Sequence, residues 1–394
     1  MYEVLNTPCF IVMEKELEKN IKDMNLALKK YWNNYIIGYS YKTNSLLWII
    51  NYLKKNNCYA EVVSDLEYKL ALKIGYTKDC IIFNGPNKRK NQFFDALKNG
   101  SIVNIDSFRE ISWLENTKFN YEIKVGIRVN FNLERECPSE TIMGKELGRF
   151  GFSLENGDLK NVINKINSIK NVKVVGVHMH NSTKTRSLNI YKALSEKACE
   201  ISKLFNYELE YVDIGGGFFG GLEGKPSYLD YMKIISKGLS KSFKKENTKL
   251  IVEPGASLIA SPIKFLCEVV DVKRIGSSRV VVINGSRSNI DPLMRKNNYF
   301  YKFITKNNKN CTERQIISGY TCMENDRLMS VFNEKELTYG DKIIFDKVGA
   351  YTMSLSPLFI EYFPNVYLID KFNKIKCIRE AWDVNEYIQK SILE

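Results

Sequence analysis

Between residues 27 and 265 the chain alternates strand-like and helix-like runs eight times, and no other feature constrains the fold as much. The strand-like runs are YIIGYSYK, CYAEVVS, CIIFNG, SIVNID, YEIKVGIRVN, VKVVGVHMH, LEYVDIGGG and LIVEPG. Most are followed by an amphipathic segment such as DLEYKLALKIG. Alternation at this period implies parallel strands joined by crossover helices, and eight such units predict an α/β protein built on a (β/α)8 TIM-like barrel over 27–265. After Pro262 the character changes. FLCEVVDVKRI, RVVVINGS, QIISGYTC, GDKIIFDKVGAY and NVYLIDKF read as strands with turn signals and few helices. A mostly antiparallel C-terminal β domain is expected over 266–394, joined by residues 1–26 through the strand-like EVLNTPCFIVM.

The 58 Lys+Arg exceed the 45 Asp+Glu by 13, which raises the question of nucleic acid. The lysines are instead scattered through helix-like segments, and no basic block alternates with aromatics as a binding strip. No stretch reaches membrane-spanning length, and the start lacks a signal-peptide layout. Nine cysteines without a CxxC pair fit reduced thiols. A cytoplasmic globular protein with neither nucleic acid nor membrane as partner is expected.

In a barrel of this kind, site groups come from the C-terminal ends of the strands. GYSYKTN places Lys42 at one such end, before N-cap residues and a helical apolar pattern. VHMH holds the only two histidines, His178 and His180. Residues two apart share one face of a strand, so the pair suits either a metal or a flat ring stacked on a planar cofactor. A hydrogen-bonded core histidine also explains His178. A catalytic zinc asks for three protein ligands, and no third histidine exists. VDIGGGFFGG follows a strand with Gly215, Gly216 and Gly217, whose bare backbone N–H groups and freedom for positive φ suit a phosphate. IVEPGAS ends a strand at Glu253, before the Pro254–Gly255 turn. A solvated strand-end glutamate is the plain reading, and a carboxylate facing a cation the functional one. An amine, a flat aromatic, a phosphate cradle and a carboxylate are together what pyridoxal 5′-phosphate needs: a lysine for the aldehyde and an acid for the ring nitrogen.

These motifs resemble the fold type III, alanine-racemase-like pyridoxal phosphate decarboxylases, the diaminopimelate, ornithine and arginine decarboxylase group. The resemblance runs almost end to end, from TPCFIV to AYTMSLSPLFIEY. It implies that Lys42 in YSYKTN forms the Schiff base with the cofactor. Glu61 in AEVVSDLE stands for the usual Asp, and GIRVN and GRFGF place Arg128 near the site. His180 in VHMHNST stacks on the ring. Gly215, Gly216 and Gly217 hold the phosphate, Glu253 in EPG faces the ring nitrogen with Gly255 after it, and Tyr351 in GAYT touches the phosphate. YTCMEND resembles the element whose cysteine crosses a homodimer interface, making Cys322 the candidate catalytic proton donor or positioner. The resemblance thus implies a homodimer with shared sites that removes the α-carboxylate of an amino acid or carboxylated amine.

Three departures bear on the substrate. The family's EPGR is EPGA, so Ala256 replaces an arginine. Asp291, in IDPLMRKNNY, stands where the diaminopimelate enzymes carry another arginine. Met323 replaces the acidic residue after the cysteine. Together they argue against diaminopimelate. Asp291 or Asp326 is then the candidate for a distal substrate ammonium, Arg186 or Arg295 for the lost positive charge, and a precursor in siderophore or other specialised metabolism is equally open. The alternatives are a racemase of the same fold, opposed by Glu253 and Cys322, and a metal-dependent hydrolase barrel using His178 and His180.

Overall fold

The computed structural model of the chain describes residues 2–305 and 310–392. Of the β domain expected above, residues 1, 306–309 and 393–394 lie outside that description. The chain divides into two compact units, residues 20–257 and residues 1–19 with 258–394. Strand β1 (Cys9–Met13) belongs to the second of these.

The unit 20–257 is the barrel. Its strands are β2 (Tyr35–Ser40), β3 (Tyr59–Val62), β4 (Ile81–Phe83), β5 (Ile102–Ile105), β6 (Ile123–Asn130), β8 (Val172–His178), β9 (Tyr211–Asp213) and β10 (Lys249–Val252), with a two-residue β7 (Phe152–Ser153) beside β6. All neighbours pair in parallel, in the order β5-β4-β3-β2-β10-β9-β8-β6, and a β5–β6 pairing closes the ring. Helices on the outside leave these strands buried on both faces, so each reads as an apolar run rather than an alternation. The helix Asp158–Ser168 shows the matching pattern, burying Leu159, Val162, Ile163 and Ile166 at spacings of three and four.

Tyr211 fills the interior of the barrel. A Cβ at Gly126 would lie 1.9 Å from its hydroxyl, and one at Gly176 2.2 Å from its ring. The two glycines make the room, and the buried hydroxyl donates to Asn104 Oδ1 at 2.8 Å. A long excursion, residues 131–150, leaves the barrel between β6 and β7.

The other unit carries β1 with β11 (Ile263–Ile275), β12 (Ser278–Ile283), β13 (Phe300–Ile304), β14 (Cys311–Ser318), β15 (Arg327–Lys335), β16 (Lys342–Asp346), β17 (Asn365–Ile369) and β18 (Ile375–Arg379) in one nine-stranded sheet. Its pairings are antiparallel except β1–β17 and β12–β14. Cys9, Ile11, Leu266, Ile344 and Ile369 form a core cluster there. No helix among the described residues is long and apolar enough to cross a membrane.

Candidate active site

The C-terminal ends of the barrel strands carry nine of the expected residues, Lys42, Glu61, Arg128, His180, Gly215, Gly216, Gly217, Glu253 and Gly255. Lys42 lies on a one-turn 3-10 segment, Tyr41–Thr43, straight after β2. Its side chain is 41% exposed, yet Nζ sits 3.1 Å from Glu61 Oε2, which is buried at the end of β3. Gly255 lets this turn close: a Cβ there would lie 2.1 Å from Thr43 Oγ1.

Glu61 also accepts from Ser40 Oγ at 2.6 Å and from Asn84 Nδ2 at 3.0 Å. Asn84, one residue past β4, donates again to Glu253 Oε1 at 2.6 Å. Its own oxygen accepts from Asn104 Nδ2 at 2.8 Å. A continuous chain of hydrogen bonds therefore runs from Tyr211 through Asn104 and Asn84 to both carboxylates and Lys42. Sequence reasoning missed Asn84 and Asn104. Leaving a buried acceptor without its donor costs about 1–3 kcal/mol. Asn84→Ala is therefore expected to lower unfolding stability by an amount in that range or above it, measured by urea titration of the cofactor-free protein.

Glu253 is buried just past β10, and His178 Nε2 lies 3.3 Å from its Oε2, although not aligned for a hydrogen bond. Burial would raise this carboxyl. His178, the neighbouring Asp213 and Lys42 together reverse that and hold it well below the usual range.

His180 stands beside the glycine turn. Gly216 N donates to its Nδ1 at 3.3 Å. A Cβ at Gly215, where φ is +72°, would lie 2.5 Å from His180 Cβ, so only glycine fits. Burial first, then the Arg128 and Lys42 charges, lower the imidazole to about 3. The ring is thus neutral, with its proton on Nε2. An unfolded His takes its proton near pH 6.5, so stability should be fully present above about 6.5 and fall as pH drops from there toward 3. Melting curves against pH should show this slope flattened in His180→Gln.

Arg128, at the end of β6, is held by Asp106 at 3.1 Å and lies over the Phe150 ring at 4.5 Å. Asp106 also accepts from Gly151 N at 2.7 Å.

The glycine turn differs from expectation in one respect. Two of its N–H groups are engaged within the protein, Gly215 N with Asp213 Oδ1 at 2.8 Å and Gly216 N with His180. They shape the turn rather than stand bare. Behind it, Tyr191 OH donates to Gly216 O at 2.9 Å, and Tyr191, Phe218 and Tyr231 pack ring on ring at 4.8–5.1 Å. Ser257 Oγ, two residues past Gly255, is buried with no partner among the described residues.

In the other unit, Cys322 and Tyr351 are exposed on turns, Tyr351 at φ +67°. Met323 adjoins Cys322, and its N–H faces Thr321 Oγ1 at 3.4 Å. The expectation that Asp291 or Asp326 receives a substrate ammonium needs correction. Asp291 is buried and taken up by Arg287, Lys296 N and Tyr299 OH. Asp326, also buried, accepts from Ser286 Oγ, Arg287 N, Thr321 N and Thr321 Oγ1. Both carboxylates knit their own turns.

Residues 14–260 match the family model described as "Pyridoxal-dependent decarboxylase, pyridoxal binding domain". The chain belongs to the pyridoxal-dependent decarboxylase family. Its cofactor is therefore pyridoxal phosphate, and its enzyme class is carboxy-lyase. Among curated relatives, the diaminopimelate decarboxylase of Methanocaldococcus jannaschii is 27% identical over 90% of this chain and 84% of that protein. The probable chloroplastic diaminopimelate decarboxylase of Oryza sativa is 25% identical over 97% and 79%. The solved structure of the M. jannaschii enzyme in co-complex with L-lysine superposes with a TM-score of 0.88 at 25% identity, covering 100% of this chain and 94% of that one. The arginine decarboxylase of a Paramecium bursaria Chlorella virus shares the fold, at a TM-score of 0.77 and 18% identity over 93% and 97%.

The residues of this pyridoxal-dependent decarboxylase fit the cofactor. An accessible amine is at hand for an aldehyde, an ionised buried carboxylate for a ring nitrogen and a neutral flat ring for a planar face, and a buried serine hydroxyl lacks a partner. The family also decides against the metal hydrolase. His178 and His180 stack nearly parallel with centroids 6.3 Å apart, and the Nδ1 of His180 is already engaged.

Proposed function

We propose that the protein removes the α-carboxylate of an amino acid whose distal end is not the amino-acid head of diaminopimelate. The observation that carries this reading is EPGA: Ala256 follows Gly255 at the barrel mouth, where a guanidinium for a distal carboxylate would start. A cavity of about 230 Å³ supports it. That cavity reaches Arg128 and His180 and is lined by Phe131, Leu133, Ile142, Met143 and Leu147 of the excursion. Such a lining suits an apolar or aromatic side chain.

When bound, pyridoxal phosphate supplies an electron-withdrawing ring for the pair released as the Cα–carboxylate bond breaks. Lys42 Nζ would be the amine that holds the aldehyde. Glu61 and Ser40 keep that amine at the end of β2. Glu253 would hold the proton of the ring nitrogen, and neutral His180 would cover a ring face without adding charge. Ser257 and Gly217 are proposed for the phosphate, with Arg186, whose guanidinium lies 5.4 Å from the Phe219 ring of the glycine turn, as the cation in place of the missing arginine. Cys322 of the partner subunit returns a proton to Cα. A homodimer is supported by the exposed apolar residues Leu355, Leu358, Phe359 and Ile360, which follow Tyr351.

The second reading is diaminopimelate itself, favoured by relatives of that name along nearly the whole chain. CO2 release from a panel of L- and D-amino acids with meso-diaminopimelate separates the two. Turnover of apolar or aromatic amino acids, with diaminopimelate at least about tenfold slower in kcat/KM, is expected; about 1.4 kcal/mol of lost distal binding gives that factor. Preference for diaminopimelate would overturn the first reading.

A further inference from the structure

Glu253 has a buried neighbour to which the sequence motifs give no role. Asp213 ends β9 and has no exposed surface. Its Oδ1 accepts from Gly215 N, and its Oδ2 meets no donor among the described residues. The strand register brings two partners alongside: Asp213 pairs with His178 on β8 and Ile251 on β10, two residues before Glu253. Ligand atoms of His178, Asp213 and Glu253 all lie within 4.8 Å of one another.

We propose that Asp213 and Glu253 hold a single proton between them, Asp213 being a neutral acid that donates to the Glu253 carboxylate. Two buried carboxylates within 4.8 Å of each other do not both ionise readily, because each raises the cost of the other's charge. The donors decide which keeps the proton. Glu253 has Asn84 on one oxygen and His178 near the other, whereas Asp213 has a backbone N–H on one oxygen and nothing on the second. Burial, followed by the Glu253 charge, also pushes the Asp213 carboxyl well up. The other ionisable groups facing Asp213 are His178 and, two residues back on its own strand, Tyr211; Glu61 is reached through Asn84. The shared proton keeps Glu253 an anion while removing one negative charge from a floor that already holds Glu61. Through Gly215 N–H, the same side chain ties Glu253 to the glycine turn. Asp213 is thus a positioning residue, and its importance to the cofactor rests on the reading of Glu253 given above.

The test begins on the cofactor-free protein, independently of substrate or cofactor. Infrared spectra at pH 8 should contain the carbonyl stretch of a buried protonated carboxyl that shifts on side-chain 13C labelling of aspartate. Labelling glutamate is a needed control, because burial also raises Glu110 beside Lys88. Asp213→Asn should remove the aspartate-sensitive band. Its amide N–H mimics the donated O–H, so cofactor affinity should stay within about threefold of wild type, whereas Asp213→Leu should weaken it about tenfold or more. No aspartate-sensitive band in the wild-type protein would overturn the proposal, whether or not the variants fold. It would leave the decarboxylase reading, which rests on cofactor binding and CO2 release, untouched.

Discussion

Lys42→Ala is expected to lower kcat by about 10³-fold or more, the scale on which a positioned proton-transfer group contributes, and to leave the fold intact. The two halves of this expectation come from different geometry. The amine is accessible at the barrel mouth, so its loss would remove the proposed covalent anchor. Its ion pair with Glu61 is half in solvent, and such pairs are worth about 0–1 kcal/mol. Glu61 keeps Ser40 and Asn84 as donors after the change. Single-turnover CO2 release with matched melting curves checks both halves. A variant that melts like wild type and turns over at a wild-type rate would remove Lys42 from the chemistry.

Glu253→Gln carries the second large effect. Gln keeps the size of the side chain and an oxygen for Asn84 but cannot hold the ring nitrogen's proton as an anion. Removing one such electrostatic group costs about 10²–10³-fold in kcat. Stability should fall only modestly: the charge that the fold favours is lost, but Asn84 keeps an acceptor. A large fall in kcat with only a small fall in Tm is the expected pair of results. A fall in both by similar free energies would make Glu253 a structural residue.

The barrel could be read in the chain because parallel strands buried on both faces are continuous apolar runs, and eight of them alternate with amphipathic helices. Lys42, His180 and Glu253 were legible because each breaks such a run at its end. Asn84 was not: followed by Gly85, it carries the same signal as a turn residue, and only closure of the barrel brings it between Glu61 and Glu253. Asp213 was hidden inside the glycine motif, where the glycines drew the functional reading. The same motif suggested bare N–H groups, but Asp213 and His180, both sequence neighbours of strand ends, claim two of them. Asp291 and Asp326 were singled out by their place in a motif, and their local partners could not be seen without the turns that supply them. The excursion 131–150 has no period of its own, so its apolar cavity had no signal in the sequence.

Which lysine holds the cofactor is the central question for this barrel. Loading the protein with pyridoxal phosphate, reducing it with borohydride and mapping the peptides by mass tests this directly. A single phosphopyridoxyl adduct on Lys42 is the predicted result. An adduct on another lysine, with Lys42 unmodified, would contradict it.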